Sequence, residues 1–339
     1  MKAAVLVKFG KIEDAFEIQE VPKPTLNDGQ VLIQTEGFGL NYADIMAIQG
    51  DYKDCPPLPA IIGYDVVGQI KEIKGDCGDL KVGDRVTAMS RFGGYAELVA
   101  TESSACTVIK EDYEVGKAMA FTTQYSTAYY CFNEVQNLYK GDKVLIHAAA
   151  GGVGTALVQM AVDRGCTIFG TCGSEEKVEY LKSLGVQHPI NYRTQDFFEE
   201  VKNINGDKGL DAVFDAVGGS SVKKGFKLLG SGGKIIVFGA ASITDKNIIG
   251  KLRTVVGFGW YHPFQFLMGS KAMIGVNMLR IGDDKPMALK RCLDNVVKQV
   301  DAGRLNPKVA KIFSINQLSE AHNYLKDRKS IGKVSVVWE

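Results

Sequence analysis

One segment constrains the fold of this chain more than any other: a glycine-rich turn between an apolar run and a helical pattern. It reads HAAAGGVGTALVQMA from His147 to Ala161. The apolar run Lys143–His147 is short enough for a buried strand, and apolar residues recur at helical spacing in Val153–Arg164. Strand, glycines and helix in this order let a dinucleotide pyrophosphate approach the helix N-terminus, where free N–H groups favour negative charge. We predict a dinucleotide site rather than a purely structural turn, with contacts from Gly151, Gly152, Val153 and Gly154.

The turn after the next predicted strand indicates which dinucleotide is bound. An acid that binds the ribose is expected roughly 20 residues beyond the glycines, and from Gly154 this position falls at Gly173–Ser174, where no carboxylate stands. Ser174 and Lys177 can instead bind the 2′-phosphate of NADP. Glu175–Glu176 could turn toward a ribose, but acids in the first turn of a helix are also favoured by its dipole. We therefore predict NADP(H), with contacts from Ser174, Lys177 and Tyr192. As a single tyrosine, Tyr192 could also belong to surface packing.

The pattern of the chain changes near residue 122. Before it, β-like runs such as Met1–Val7 and Gln30–Leu40 alternate with turns, which is typical of a β-barrel. After it, strands such as Thr167–Cys172 alternate with helical patterns such as Glu175–Leu184, which predicts a doubly wound parallel sheet. Further predicted elements are helices at Ala288–Ala302 and Leu318–Lys326 and strands at Gly93–Ala100 and Lys333–Trp338. We predict an α/β protein with residues 1–122 and 281–339 in the barrel domain and residues 123–280 in a dinucleotide-binding domain.

Composition excludes several classes of partner. The chain carries 40 Lys plus Arg against 39 Asp plus Glu, so no strong basic field is available for nucleic acid. The seven cysteines are scattered without a CxxC pair, which argues against a disulfide framework and a four-thiolate zinc site. Free thiols in this number favour a reducing compartment, and the N-terminal apolar run is too short for a signal peptide. We expect a cytoplasmic protein.

The apolar stretch Thr254–Ile281 could suggest a membrane helix. It is interrupted by glycines and contains His262, Pro263 and Lys271, whereas a membrane helix needs about 20 consecutive apolar residues. We predict no membrane insertion and interpret the stretch as buried globular structure plus loop, covering either a substrate cleft or a dimer interface.

Six motifs, in their order and spacing, resemble the medium-chain dehydrogenase/reductase superfamily and, within it, the zinc-free quinone oxidoreductase-like group (zeta-crystallin-like). They are GLNYADIMAIQGDY (39–52), IIGYDVVG (61–68), KVGDRV (81–86), GGYAE (93–97), the AAAGGVG turn and FDAVGG (214–219). The part from Leu267 to Lys333 resembles the branch of the vesicle amine transport proteins. The resemblance implies a GroES-like barrel domain, an inserted Rossmann domain, a cleft between them, and homodimers joined through the Rossmann domains.

The resemblance also allows a test for zinc at each ligand position. Zinc-dependent relatives hold the catalytic metal with a Cys, a His with Glu beside it, and another Cys or Asp. These positions match Asn41, the pair Tyr64–Asp65, and a position near Thr123. Of these residues only Asp65 is a good zinc ligand, and one carboxylate does not make a site. We predict no metal.

Without a Lewis acid an alcohol is hard to oxidise, whereas a conjugated electrophile needs only hydride and hydrogen-bond donors for the developing oxyanion. We therefore expect a small-molecule quinone or α,β-unsaturated carbonyl as the substrate. Tyr52 matches a tyrosine implicated in protonation in related enoyl reductases, and it could equally be a cleft-lining aromatic. Asn41 and Thr127 match nicotinamide contacts, although Asn41 could also be a turn residue. Phe238, Gly239 and Ala240 follow a Rossmann strand and are expected near the nicotinamide.

Two alternatives stay open. A 2-enoyl-thioester reductase would need a basic surface for a carrier phosphate, and no obvious Lys/Arg cluster is present. A non-catalytic NADPH-binding protein would keep the cofactor turns but not turn over a substrate. His147 and His262 are interpreted as structural, since no Ser–His–Asp or Cys–His pairing can be assembled from the four histidines.

Overall fold

The structure is a computed structural model that describes residues 1–244 and 247–338. The chain divides into two compact units. The first unit comprises Met1–Ser126, Met278–Gly303 and Pro307–Glu339, and the second comprises Thr127–Asn277 and Arg304–Asn306. The domain limits expected from the sequence, at 122/123 and 280/281, remain predictions.

The first unit begins with short strands and two helices. They are β1 (Lys2–Leu6), β2 (Phe16–Glu20), β3 (Gln30–Leu40), α1 (Tyr42–Ile48), β4 (Ala60–Ile61), β5 (Asp65–Lys74), β6 (Arg85–Met89), β7 (Leu98–Glu102), β8 (Cys106–Val108) and α2 (Val115–Ala120). The strand expected at Gly93–Ala100 begins instead at Leu98, because the backbone amides of Gly93, Gly94 and Tyr95 donate to the carbonyls of Ile61, Gly63 and Ile62, at the end of β4 and just after it.

The second unit is built on strands that alternate with helices. Its elements are α3 (Ser126–Tyr129), β9 (Lys143–Ile146), α4 (Gly152–Arg164), β10 (Thr167–Cys172), α5 (Glu175–Ser183), β11 (His188–Asn191), α6 (Phe197–Asn205), β12 (Leu210–Asp215), α7 (Ser220–Leu228), β13 (Leu229–Val237), α8 (Ile248–Gly257), α9 (Pro263–Gly269) and β14 (Ala272–Gly275). α3 begins one residue before the boundary between the units.

The six strands of the second unit's described sheet are parallel and lie in the order β11-β10-β9-β12-β13-β14. Renumbered within the unit, this is the order 3-2-1-4-5-6 of the dinucleotide-binding fold. In this order, successive strands are added first on one side of β9 and then, from β12 onward, on its other side. A buried apolar core packs on the sheet and includes Leu145, Phe169 and Val213. The predicted doubly wound parallel sheet is confirmed.

The chain then returns to the first unit through α10 (Met278–Asp284), α11 (Pro286–Asp301), β15 (Val309–Ser314), α12 (Leu318–Lys326) and β16 (Lys333–Val337). β16 pairs antiparallel with β3, which extends the described seven-stranded sheet β15-β16-β3-β5-β6-β8, with β7 paired on β3. A three-stranded sheet, β2-β1-β4, holds the other described strands of this unit. The helix expected at Leu318–Lys326 and the last strand agree with the prediction to within one residue.

The apolar stretch Thr254–Ile281 departs from its prediction. It was expected to be buried, yet in the chain by itself Trp260 is 89% exposed and Leu267 is 72% exposed. α9 has no buried residue. Apolar periodicity cannot distinguish a face that packs inside its own chain from one that is left at the surface. Among the described residues, no helix is long and apolar enough to cross a membrane.

Candidate active site

The glycine turn of the second unit is tightly packed against the start of α4. Gly151 is the N-cap residue, and the helix begins at Gly152. A Cβ at Gly154 would overlap the carbonyl oxygen of Ala148 and lie 2.7 Å from Ala149 Cα. Only glycine lets the helix approach the turn this closely, which leaves the helix N-terminus open to an anion. These residues therefore fit a dinucleotide pyrophosphate.

The other predicted cofactor turns lie on the same edge of the same sheet. They follow β10 (Gly173–Ser174), β11 (Tyr192) and β13 (Phe238–Ala240). Since the strands are parallel, their carboxyl ends share one edge, where ligands of such sheets bind. The amide of Phe238 donates to Asp215 O at 3.0 Å, which ties this turn to the end of β12. Thr127 is buried in α3.

The turn predicted to select the phosphate has the form of a helix cap. The Ser174 hydroxyl accepts from the Lys177 amide at 3.3 Å at the N-terminus of α5. Glu175 accepts a 2.6 Å hydrogen bond from Asn191 Nδ2, so this carboxylate is engaged. Tyr192 lies over Gly173, where a Cβ would be 2.8 Å from the tyrosine Cζ. A serine hydroxyl and a tyrosine ring thus lie at a turn whose nearest acid is already partnered, and Lys177 follows in the first turn of α5.

A buried carboxylate organises the candidate site of the first unit. Asp65 is fully buried at the start of β5. Its Oδ1 accepts from the Thr122 hydroxyl at 2.5 Å, from the Thr123 amide at 2.9 Å and from the Thr123 hydroxyl. Its Oδ2 accepts from Asn41 Nδ2 at 2.7 Å and forms an ion pair with Lys333. Five donors therefore satisfy one carboxylate, which is what a buried charge requires.

Both the backbone and the side-chain amide of Asn41 form hydrogen bonds. It is buried at the N-terminus of α1, and its backbone N–H donates to Asp44 Oδ2 at 2.7 Å. Its side-chain oxygen accepts from Lys333 Nζ at 3.1 Å. Asn41 is thus the turn residue after a strand and part of a polar cluster. Its contact with nicotinamide stays a prediction.

Tyr52 belongs to an aromatic group with Tyr64 and Phe92. The rings of Tyr52 and Tyr64 meet edge to face, with centroids 6.4 Å apart. Burial raises the pKa of Tyr52, and a hydrogen bond with Tyr64 lowers it in part. Burial likewise raises the pKa of Tyr64. Both hydroxyls therefore keep their protons at neutral pH.

Two family descriptions match the chain: "Alcohol dehydrogenase GroES-like domain" over residues 27–128 and "Zinc-binding dehydrogenase" over residues 152–289. The synaptic vesicle membrane protein VAT-1 homolog of Rattus norvegicus is 33% identical, covering 99% of this chain and 84% of the relative. A 2-haloacrylate reductase of Burkholderia sp. is 30% identical, covering 98% of this chain and 97% of that protein. The chain belongs to the medium-chain dehydrogenase/reductase superfamily.

A solved quinone oxidoreductase of Escherichia coli, complexed with NADPH, shares the fold of this superfamily member. Its TM-score is 0.85 at 23% identity, and the match covers 99% of this chain and 100% of that protein. The predicted GroES-like barrel with an inserted Rossmann sheet is confirmed, as is the relationship to the quinone oxidoreductase-like group and the VAT-1 branch. As a member of this superfamily the protein is an oxidoreductase.

The residues at the superfamily's catalytic metal position do not fit zinc in this member. Asn41 carries a carboxamide and Thr123 a hydroxyl, and both side chains donate a hydrogen bond to Asp65. The one carboxylate of the set already binds the ammonium of Lys333. A second cation beside a buried ammonium would be repelled in a medium of low dielectric. No group of three or more His, Cys, Asp or Glu suited to a metal occurs among the residues described.

Sequence reasoning missed the ionic part of this site. Lys333 was assigned only as the first residue of a strand, but its side chain is fully buried. A lysine inside an apolar strand was the one available signal, and it gave no partner. The histidines agree with their structural interpretation: His262 caps α9 by accepting from the Phe264 amide. His147 is buried beside Thr171, and burial lowers its pKa.

Asp44 supplies a testable pH dependence next to Asn41. Burial raises its pKa from 3.8 to about 7, against the hydrogen bond from the Asn41 amide. Between pH 4 and 7 the unfolded chain ionises at this residue while the folded chain stays protonated, so the folded state loses stability as pH rises. At about 1.4 kcal/mol per pH unit, the loss reaches about 4 kcal/mol near neutral pH.

We expect Asp44→Asn to remove this loss. The free energy of unfolding of the variant, minus that of the wild type, should rise from pH 4 to 7 and then level off. Urea unfolding at each pH measures it. The pKa of buried His322 falls to about 4 and has the opposite sign, but it is common to both proteins and cancels in the difference. A difference that stays constant with pH would contradict the prediction.

Proposed function

We propose that the protein is an NADPH-dependent, zinc-independent reductase that transfers hydride to a quinone or an α,β-unsaturated carbonyl. The observation that carries the proposal is the glycine turn at the N-terminus of α4, on the carboxyl edge of a sheet with the Rossmann strand order. The acid-poor turn after β10 supports NADP(H) rather than NAD(H). The name of the 2-haloacrylate reductase supports a conjugated acceptor, since an acrylate is an α,β-unsaturated carboxylate.

The proposed cofactor contacts are those expected from the sequence. Gly151, Gly152, Val153 and Gly154 receive the pyrophosphate, and Ser174, Lys177 and Tyr192 receive the 2′-phosphate. Asn41, Thr127, Phe238, Gly239 and Ala240 contact the nicotinamide. When bound, the reduced nicotinamide supplies the hydride; the chain's residues bind, orient and donate protons or hydrogen bonds.

Tyr52 is the proposed proton donor to the substrate oxygen. The raised pKa of Tyr52 keeps its hydroxyl protonated at neutral pH. A hydrogen bond from Tyr64 also stabilises the phenolate that forms when Tyr52 gives up this proton. Asn41 is the second proposed catalytic residue, through its carboxamide N–H.

We expect Tyr52→Phe to lower kcat by about 100-fold, because a positioned general acid contributes at least about that much. NADPH affinity should stay within a few-fold of wild type, since the ring is kept. Tyr64→Phe is the matched variant: it removes only the hydroxyl that interacts with Tyr52, so its loss of kcat should be smaller. A Tyr52→Phe enzyme with unchanged kcat would assign Tyr52 to lining the cleft.

The proposed function is tested by following NADPH, and separately NADH, at 340 nm. The acceptors are quinones, enones, a 2-haloacrylate and one enoyl thioester, before and after chelator treatment. Fast NADPH consumption, slow NADH consumption and no chelator effect are expected. Loss of activity with chelator would overturn zinc independence, preference for the thioester would favour the enoyl-thioester reductase, and NADPH binding without any turnover would favour a non-catalytic role.

We also propose a homodimer joined through the second unit, in a cytoplasmic setting. The supporting observations are the exposed apolar side chains of α8 and α9 and the edge position of β14 in the sheet of the same unit. Exposed apolar surface and an edge strand are both typical of an interface. The resemblance to the superfamily favours a second copy as the occupant.

Leu267→Arg is therefore expected to convert the dimer to a monomer, since a buried unpaired guanidinium is strongly unfavourable. Sedimentation should give twice the 36.8 kDa chain mass for the wild type and the single mass for the variant. Ile204→Arg, at another exposed apolar residue of the second unit, is the control and should stay dimeric. A monomeric wild type would overturn the proposal.

A further inference from the structure

The ammonium of Lys333 is buried with every proton used. It donates to Leu40 O and to Asn41 Oδ1, both at 3.1 Å, and forms its ion pair with Asp65. Gly39 makes room for it, because a Cβ there would overlap Lys333 Cε and lie 2.7 Å from Nζ. A lysine inside a strand is unfavourable unless all three N–H groups find acceptors. The surrounding sequence is built to hold this charge.

The two partners of the Asn41 amide are chemically opposite. An ammonium only donates hydrogen bonds, and an ionised carboxylate only accepts them. The oxygen of the amide must therefore face Lys333 and its nitrogen must face Asp65, as the 3.1 Å and 2.7 Å contacts have it. The flipped amide would set NH₂ against an ammonium and oxygen against a carboxylate, so a single orientation is selected.

We propose that Lys333 is a positioning residue of the hydride-transfer site, acting through Asn41. Together with Asp65 it fixes the amide so that the second Nδ2 hydrogen of Asn41 is presented in one direction, toward the nicotinamide or the developing oxyanion. The inference rests on the proposed function, which gives Asn41 its role. A fixed donor costs no reorganisation when charge develops.

If the ion pair were purely structural, removing it would not change kcat. Buried ion pairs are weak contributors to stability, and replacing both members with neutral groups is often tolerated. Asp65 also keeps three donors from Thr122 and Thr123 without Lys333. Removing both charges should therefore preserve the fold while releasing the orientation of Asn41.

The test uses the double variant Asp65→Asn/Lys333→Met, since Lys333→Met alone would leave an unpaired buried carboxylate. We expect an unchanged thermal unfolding midpoint, NADPH affinity within a few-fold of wild type, and a kcat lowered by up to about 100-fold, as for a misplaced catalytic group. Asp294→Asn/Lys290→Met is the matched control: it removes another Lys–Asp pair of the first unit, with Nζ and Oδ1 2.5 Å apart, and should keep kcat.

The role of Asn41 in the effect is measured by adding Asn41→Ala to each background. In the wild type, Asn41→Ala should lower kcat strongly. In the double variant it should lower kcat little further, because the orientation of the Asn41 amide is already lost. Additive losses would overturn the proposal, since residues that act as a unit are non-additive.

A readout independent of turnover separates this inference from the proposed function. In protein labelled with ¹⁵N-asparagine, the Asn41 side-chain amide, assigned by its absence in Asn41→Ala, should exchange slowly with solvent. Its protection should be lost in the Asp65→Asn/Lys333→Met variant. If the wild type reduces no acceptor, the proposed function fails, and this exchange still decides: unchanged protection would overturn the positioning role of Lys333.

Discussion

Gly154→Ala is expected to weaken NADPH binding strongly and to destabilise the second unit. The added Cβ would overlap the carbonyl oxygen of Ala148 and come within 2.7 Å of Ala149 Cα, both backbone atoms that cannot rotate away. α4 must then move off the turn. Overpacking of this kind costs about 1–3 kcal/mol in stability, and the same displacement at the phosphate site would weaken binding by about 100-fold. Fluorescence titration with NADPH and thermal unfolding measure the two effects.

Gly275→Ala is the control for this substitution, because nothing lies within 4 Å of a Cβ built at Gly275 in the same unit. It should bind NADPH as the wild type does. Gly151→Ala should have an effect on binding and stability between those of Gly154→Ala and Gly275→Ala, because its Cβ would lie 3.2 Å from the Ala148 oxygen. A Gly154→Ala protein with wild-type affinity and stability would contradict the assignment of the turn as the pyrophosphate site.

The double variant Ser174→Asp/Lys177→Leu is expected to have a preference for NADPH over NADH about 100- to 1,000-fold lower than that of the wild type. A hydrogen bond to a charged group contributes about 1.5–3 kcal/mol, and the variant removes two such donors. The new carboxylate also repels the 2′-phosphate and can accept from a ribose hydroxyl. NADPH affinity should fall while NADH affinity holds or improves, as measured by titration with both dinucleotides.

The matched control places the same changes further along α5, as Ser183→Asp/Lys182→Leu. Both residues are exposed in the last turn of this helix. The preference for NADPH should be unchanged. If Ser174→Asp/Lys177→Leu also kept its preference, the 2′-phosphate would have to be bound elsewhere, and the prediction of these contacts would be wrong.

The secondary structure and the glycine turn of the second unit could be predicted from local sequence patterns. The strand at Lys143–Ile146 and the helix at Gly152–Arg164 follow from apolar runs and periodicity, which depend only on neighbours in sequence. The glycine turn between them could be interpreted because a close backbone approach needs glycine wherever the rest of the chain lies. The absence of an acid at Gly173–Ser174 is likewise a local fact.

Long-range partners were out of reach for the same reason. The ion pair of Asp65 and Lys333 joins residues 268 positions apart, and no periodicity links them. The exposed face of α9 was expected to be buried, because Phe264 and Leu267 have the same apolar pattern whether or not the chain covers them. Burial depends on which surfaces meet, and sequence spacing does not contain that information.

The sequence by itself determined the superfamily, the alternation of strands and helices, and the chemistry available at the cofactor turns, because these reside in short segments with fixed residue types. Only the tertiary structure decided that Asn41 and Asp65, at two of the superfamily's metal-ligand positions, contact a buried ammonium. β16 pairs with β3 and brings Lys333 against Leu40, Asn41 and Asp65. A buried charge must find its partners in space, and the pairing of distant strands is what supplies them.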